Sequence, residues 1–381
     1  MMKDIPEFTQ EASKSNLGEV KWQEENILIY GTGSFARDIQ LALEKNGTGI
    51  YGFLDHRSTN DQVINNLPVH KPDGKAPPIE LRKKSLVILG IHNREVNLIP
   101  IINNLKTHGY NRELLSPIDL YDHFAEELGT RYWLTSRTYY SSYTEEIQAV
   151  YKLLSDENSR KTFESLIHFR ISGDYSLLPE PDTEHQYFPL DLPMWPQPIR
   201  FVDCGAYDGD TLHSLLQSKQ QFEAIAAFEP DQDNFRKLSA YASKSRLPNI
   251  SLFPCGVYSS TTQLTFNTGK GEGSSVSQTG KTTVQCVALD ECIPTFRPTL
   301  IKMDIEGAEM DALAGACQLI KEYHPALAIS AYHTPAHLWE IPLWINQLAT
   351  ENNLHYTYHY RAHAHNCFET IFYAIPQKEQ A

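Results

Sequence analysis

Residues 203–209 read Asp203-Cys204-Gly205-Ala206-Tyr207-Asp208-Gly209. The acid closes an apolar run, Phe201-Val202, and the two glycines let the backbone turn tightly and let a ligand come close before a helix starts near Asp210-Thr211. About twenty residues further on, where a ribose-binding acid is expected, a second apolar run ends in Glu229-Pro230. A carboxylate at that place accepts hydrogen bonds from both hydroxyls of a ribose. The spacing is D-x-G-x-x-x-G, not the dinucleotide G-x-G-x-x-G, and an acid at the strand end repels a pyrophosphate. It suits a cation bearing an amino group and a ribose, as S-adenosylmethionine (SAM) does.

A second glycine loop lies near the start. Asn26-Ile27-Leu28-Ile29-Tyr30 runs into Gly31-Thr32-Gly33-Ser34-Phe35-Ala36, and Asp55 closes the next apolar run. This is a G-x-G-x-x-A dinucleotide-type pattern, with free N–H groups of a helix N-terminus at Gly33, Ser34 and Phe35 and the charge of Arg37 available to a phosphate. On its own the pattern is weak, and a scaffold or dimerisation role reads nearly as well, which leaves a homo-oligomer open.

The elements that must position these loops alternate strand and helix, so the fold class is α/β: two Rossmann-like units, each a parallel sheet covered by helices, joined by a helical connector. Residues 1–24 are a polar lead-in without the apolar core of a secretory signal. Residues 25–118 form the first unit, with strands at Asn26–Tyr30, Ile50–Leu54 and Ser85–Gly90 and a helix from Ala36 to Leu43. Residues 119–198 are the connector, broken near Asp156-Glu157-Asn158-Ser159 and ending in a proline-rich stretch, 179–198. Residues 199–381 are the second unit. Its strands read Arg200–Cys204, Ala224–Phe228, Ile250–Pro254, Thr299–Met303, Pro325–Tyr332, His355–Tyr360 and Glu369–Ile375, with a short pair, Gln263–Asn267 and Thr282–Val287, interrupting them. The loop Arg361–Phe368 is too short for a parallel crossover, so the last two strands form an antiparallel hairpin.

Bulk properties narrow the partners. A net charge of −14 disfavours nucleic acid, and no apolar run of about 18 residues predicts a membrane span. Six cysteines without a C-x-x-C pair read as reduced thiols in a cytoplasmic protein.

Phe201-Val202-Asp203-Cys204-Gly205-Ala206, Phe228-Glu229-Pro230 and above all Lys302-Met303-Asp304-Ile305-Glu306-Gly307-Ala308-Glu309 resemble the FkbM family of class I methyltransferases over about 185–376, and Glu369-Thr370-Ile371-Phe372-Tyr373-Ala374 adds to the resemblance. It implies a seven-stranded, mostly parallel sheet, SAM as cofactor, and O-methylation, often of sugars, glycan precursors or sugar-bearing metabolites. By position, Asp203, Gly205, Ala206, Tyr207, Asp208 and Gly209 would cradle the methionine end and the adenosine, Glu229 and Pro230 the ribose, and Gly256-Val257 the adenine, with Asp304 facing the reaction centre. The first unit resembles N-terminal nucleotide- or nucleotide-sugar-binding domains through Ile27-Leu28-Ile29-Tyr30-Gly31-Thr32-Gly33 and Gly52-Phe53-Leu54-Asp55.

A hydroxyl nucleophile needs its proton removed as it attacks. His333, after a strand, is the candidate base, and Asp304 the rival base or a metal ligand. His333 and His337 stand four apart with Asp304 and Glu306 nearby, a set that could hold Mg²⁺; a polar pocket rim is the plainer reading, and the same holds for His359, His363 and His365. Gln186 and Tyr187 could fold over the cofactor, and Ser274-Ser275 could close over the substrate. Two other function classes stay open: an NAD-linked oxidoreductase using the first glycine loop, and a nucleotide-sugar-binding or assembly module without catalysis.

Overall fold

The structure is a computed structural model that describes residues 20–59, 61–193, 195–218, 220–245, 249–266 and 282–377. The Ser274-Ser275 loop lies outside the described residues. Contacts divide the chain into two compact units, 1–148 with 161–180 and 364–368, and 149–160 with 181–363 and 369–381. The segment read as a connector is therefore shared between the two. Among the described residues no helix is long and apolar enough to cross a membrane.

The first unit is built on a sheet of strands β1 (Ile27–Tyr30), β2 (Ile50–Leu54), β3 (Val63–Ile64), β4 (Leu67–His70), β5 (Leu86–Leu89) and β6 (Glu113–Leu115), in the order β3-β4-β2-β1-β5-β6. All four residues of β1 and of β5 are buried, as expected of apolar runs in a sheet covered on both faces. The strand order reverses between β1 and β5, and the first glycine loop sits there. The hairpin β3-β4 is closed by Asn65 and Asn66, both at positive φ (49° and 65°), a conformation that asparagine tolerates.

The second unit holds β7 (Ile199–Cys204), β8 (Phe222–Phe228), β9 (Ile250–Phe253), β13 (Leu300–Met303), β14 (Ala326–Ser330), β15 (Tyr356–Ala362) and β16 (Thr370–Pro376) in one seven-stranded sheet of order β15-β16-β14-β13-β7-β8-β9. A smaller sheet joins β10 (Gly256–Val257), β11 (Thr262–Phe266) and β12 (Thr282–Val287). Strand β16 is inserted between β14 and β15 and runs antiparallel to both, while the other neighbours are parallel. Ile199, Phe201, Ile225, Leu300, Ala326 and Tyr373 meet in its core. The order reverses between β7 and β13, which brings the loops after Asp203 and after Met303 side by side at the carboxyl ends of the strands, where open α/β sheets take their ligands.

Strand β15 is an edge, and its free backbone groups are covered by the break between two helices, Thr144–Leu153 and Glu157–Ser172. Ser155 N–H donates to Tyr358 O at 2.9 Å, Tyr358 N–H to Ser155 Oγ at 2.9 Å and Tyr360 N–H to Ser159 Oγ at 3.1 Å. Asp156 organises this edge: it takes Ser159 N–H at 2.7 Å and Ser159 Oγ–H at 2.6 Å, and it faces His359 and Arg361. Burial pulls the Asp156 pKa up, but Ser159, His359 and Arg361 outweigh it and lower it to about 2. A carboxyl whose folded pKa lies below its unfolded value stabilises the fold above the unfolded pKa of about 3.9 and loses that contribution as pH falls through the folded one. Asp156→Asn is expected to lower stability by about 1–2 kcal/mol at neutral pH. In urea denaturation the gap between wild type and variant should close as pH is taken from 5 towards 2; a gap independent of pH would contradict the assignment.

Candidate active site

Three backbone turns meet at the reversal of the second sheet. The first follows β7. Gly205 has φ +81°, and a Cβ on it would stand 1.9 Å from the carbonyl oxygen of Asp304, so only glycine lets the loops after β7 and β13 approach this closely. Tyr207 holds φ +47° and presents a half-exposed ring, and Gly209, at φ +98°, caps the helix Asp210–Gln217. Ala206 is buried and Asp208 partly exposed. The second turn follows β8. Glu229 is buried; its Oε2 accepts Tyr207 N–H at 2.9 Å and its Oε1 accepts Asp231 N–H at 2.8 Å. Each carboxylate oxygen keeps a second lone pair for a further donor. Burial raises the Glu229 pKa to about 7 against the pull of those two N–H groups.

Beneath the first loop lies a group to which the sequence reading gave no role. Lys302, on β13 between apolar neighbours, is buried with its Nζ 3.0 Å from Asp203 Oδ1 and 2.5 Å from Gly205 O. Burial disfavours both charges. It raises Asp203 to about 6 with Lys302 opposing it, while Asp203, Asp304 and Asp210 together hold the lysine above its ordinary value despite burial. Asp203 thus works inward, on the lysine that fixes the glycine loop.

The third turn follows β13 and holds most of the reactive side chains. Glu306 sits at φ +57°, followed by Gly307 at φ +104°. Such strain in a non-glycine residue is tolerated where surrounding structure imposes it, often at functional sites. Asp304 Oδ2 accepts the Tyr187 hydroxyl at 2.9 Å. Burial, then the charges of Asp304 and Glu369, keep that phenol protonated far above its usual range, so it donates. Gln186 donates to Glu369, and Tyr373 donates to Gln186 O. Gln186 and Tyr187 therefore do lie at this end of the sheet, tied to the carboxylates of Asp304 and Glu369.

His333, three residues past β14, is buried among carboxylates. Its Nδ1 lies 2.8 Å from Glu309 Oε1, and its Nε2 faces Asp304 Oδ1 at 3.4 Å and Glu306 Oε2 at 3.7 Å. Burial alone would lower its pKa; Glu309, Glu306 and Asp304 outweigh it and raise it to about 10. The carboxylates therefore favour the protonated ring as long as no other cation sits among them. His337 does not converge with His333 on one point as the i, i+4 spacing suggested. Its Nδ1 lies 3.3 Å from Glu309 Oε2, and the two histidines flank the same carboxylate. Glu309, at the start of the helix Glu309–Ala314, was quoted within the motif but given no role, and nothing in its spacing marks it as the partner of a histidine 24 residues on.

Other candidates are placed elsewhere. Gly256 is packed so that a Cβ would stand 2.9 Å from Cys286 Sγ, which accounts for glycine there by packing alone. His359 serves Asp156, and His363 bonds Asp182 O and, at 2.8 Å, the Tyr373 hydroxyl. In the first unit, Gly33 is open on its Cβ side, ahead of the helix Ser34–Lys45 that starts with Ser34 and the buried Phe35. Gly31 has φ +102° and packs against Ile91 and Gly90. Asp55 already accepts Thr32 Oγ–H at 2.7 Å and Arg57 N–H at 2.9 Å, and Arg37 Nε donates to Thr32 O at 3.2 Å.

Comparison with known proteins bears on the same segment. Residues 203–360 match the family described as the methyltransferase FkbM domain. The chain carries an FkbM methyltransferase domain over those residues. A solved FkbM methyltransferase from Methylobacillus flagellatus KT shares the fold, with a TM-score of 0.75 at 21% identity over 98% of this chain and 94% of that one. Two further solved structures match at TM-scores too low to add to this: Aeropyrum pernix fibrillarin with natively bound S-adenosyl-L-methionine (0.29, 11% identity, 49% of this chain and 70% of that one) and the methyltransferase domain of bacterial CtHen1-CN (0.28, 14% identity, 46% and 89%). Comparison with curated proteins found no match. All the turns described above for the second unit, apart from Gln186, Tyr187 and Glu369, fall inside the FkbM domain.

Removing one partner of the buried pair beneath the FkbM loop strands a charge. Lys302→Met is expected to destabilise by about 3–5 kcal/mol, and the double variant Lys302→Met with Asp203→Asn to recover a large part of that loss. Chemical denaturation of the three variants checks this; a double variant no better than the single one would mean that the lysine matters for other reasons.

Proposed function

We propose that this protein transfers the methyl group of SAM to a hydroxyl of a sugar, glycan precursor or sugar-bearing metabolite. The observation that carries the reading is Glu229: a buried carboxylate at the end of β8, steadied by two backbone N–H groups and with lone pairs to spare, beside the glycine loop at the reversal of the sheet. That is where a ribose would be held. Asp55 in the first unit has its carboxylate taken by Thr32 and Arg57, which favours the second loop over the first as the cofactor site.

When bound, the cofactor supplies a methyl group on a sulfonium centre, and the reaction is an in-line displacement. Alignment of nucleophile and methyl can be worth about 7 kcal/mol or more. The residues around Asp304 do the rest. Tyr187 holds the Asp304 carboxylate in place, and Asp304, Glu306 and Glu369 offer acceptors for acceptor-sugar hydroxyls at the same end of the sheet. Asp304 is the carboxylate we assign to the departing hydroxyl proton, with His333 Nε2 3.4 Å from its Oδ1. All six cysteines are free, in keeping with a cytoplasmic location.

Calorimetric titration with SAM tests the reading. Wild-type protein should bind, and Glu229→Ala should bind at least about tenfold more weakly, the equivalent of one lost charge-assisted hydrogen bond. No binding by the wild type sinks the proposal. The Glu229 pKa of about 7 sets a pH dependence. Below it the carboxyl is protonated and accepts ribose hydroxyls poorly; above it the ionised form accepts them and attracts the sulfonium. Affinity for SAM should rise as pH goes from 6 to 8, and Glu229→Gln should flatten that slope.

A further inference from the structure

The turn after β13 carries more carboxylate than a hydroxyl acceptor needs. We propose that His333 Nε2, Asp304 and Glu306 bind one first-row divalent transition cation, and that Glu309 orients the histidine for it. The separations make the case. An N–H···O hydrogen bond runs at about 2.7–3.2 Å. His333 Nε2 lies 3.4 Å from Asp304 Oδ1 and 3.7 Å from Glu306 Oε2. Two ligands each about 2.1 Å from a shared ion stand roughly 3.0–4.2 Å apart for angles between a right angle and a straight line. Both distances fall inside that range. Glu309 stands on the other side of the ring, and the set Asp304, Glu309 and His333 has its donor atoms within 4.8 Å of one another.

The surroundings are those of a ligating histidine. Such a histidine usually donates its other ring N–H to a carboxylate, which sets the tautomer and aims the lone pair. Here Glu309 Oε1 accepts from His333 Nδ1 at 2.8 Å, and Glu309 is itself buried and held by Ile305 N–H at 2.9 Å and by His337 at 3.3 Å. Asp304 is oriented in the same way: the Tyr187 hydroxyl takes Oδ2 and turns Oδ1 towards His333. The strained backbone at Glu306 and Gly307 brings the third oxygen round. Three carboxylates around one imidazole leave a net negative pocket even when the ring is charged; a divalent ion would relieve it and take the place of the Nε2 proton, which leaves to solvent.

An imidazole nitrogen suits Mn²⁺, Fe²⁺ or Zn²⁺ better than the Mg²⁺ that the acids alone suggested. His337 acts through Glu309 and is not itself a ligand. For the reaction, this rests on the methyltransferase reading. Three protein ligands leave positions open, and adjacent hydroxyls of an acceptor sugar would chelate there. A hydroxyl on the ion releases its proton to solvent more readily; its oxygen then forms the O–CH₃ bond as the S–CH₃ bond of SAM breaks.

The site can be tested without turnover. Full-length protein stripped with a chelator and desalted is titrated with Mn²⁺, and free Mn²⁺ is read by electron paramagnetic resonance. The expected result is one ion bound per chain and displaced by Zn²⁺. Affinity should fall at least tenfold in Glu306→Gln, whose side chain is one-third exposed and tolerates the change, and binding should be absent in His333→Asn, with circular dichroism confirming the fold. Glu229→Ala should bind Mn²⁺ as wild type does. If neither Mn²⁺ nor Zn²⁺ binds, or if all variants bind alike, the site is a hydrogen-bonded cluster and the proposal is wrong. SAM titration of the same samples keeps the two ideas apart: SAM binding without cation binding overturns the cation site alone, and cation binding without SAM binding overturns the cofactor reading alone.

Discussion

The buried contact of Lys302 with Asp203 and with the Gly205 carbonyl is the constraint on which the rest of this site depends. Two charges out of water are costly unless each is closely matched, so the pair tolerates little movement. It joins β13 to β7 through side chains as well as through the backbone ladder, and it does so at the turn that must come within van der Waals reach of Asp304. The glycine at 205, the left-handed turn at Tyr207 and the placement of Glu229 under the Tyr207 N–H all follow from that approach. An acid at the strand end that looked like a ligand group turns out to be the anchor of the loop.

A second set of contacts steadies the other side of the sheet. The hairpin β15-β16 carries Glu369 just before its second strand, and its outer strand would be an open edge without the Ser155, Asp156 and Ser159 contacts. Arg361 is held by Asp191 at 2.8 Å and by Asp156 as well. Several charges and hydroxyls acting together restrain an edge better than any one exposed pair. The proline-rich stretch before β7 adds to this: Gln186 and Tyr187 reach Glu369 and Asp304, and the Trp195 indole donates to Tyr187 O at 3.1 Å. The carboxylates at the strand ends are therefore oriented from the hairpin side and from the loop side at once.

Much of the second sheet could be read directly. Buried parallel strands appear as short apolar runs, and those of β7, β8, β13 and β14 stand out between polar turns. The antiparallel end followed from loop length alone. In the first unit the reading took in β1, β2 and β5 but passed over β3, β4 and β6. These are two to four residues long, partly exposed and too short to show a period, although the Asn65-Asn66 pair was a turn signal that could have been used.

What the sequence by itself determined was local: which segments are strands, where glycines allow tight turns, and which acids close the strands, because these depend on the residue and its near neighbours. What only the tertiary structure decided was who faces whom. That β16 lies between β14 and β15, that Lys302 meets Asp203 across 99 positions of chain, that Glu309 and not His337 partners His333, and that His333 is ringed by carboxylates are outcomes of strand order and packing. Charge and proton affinity are set by what lies within a few ångströms in space, and spacing along the chain does not report that distance once the fold has brought remote turns together.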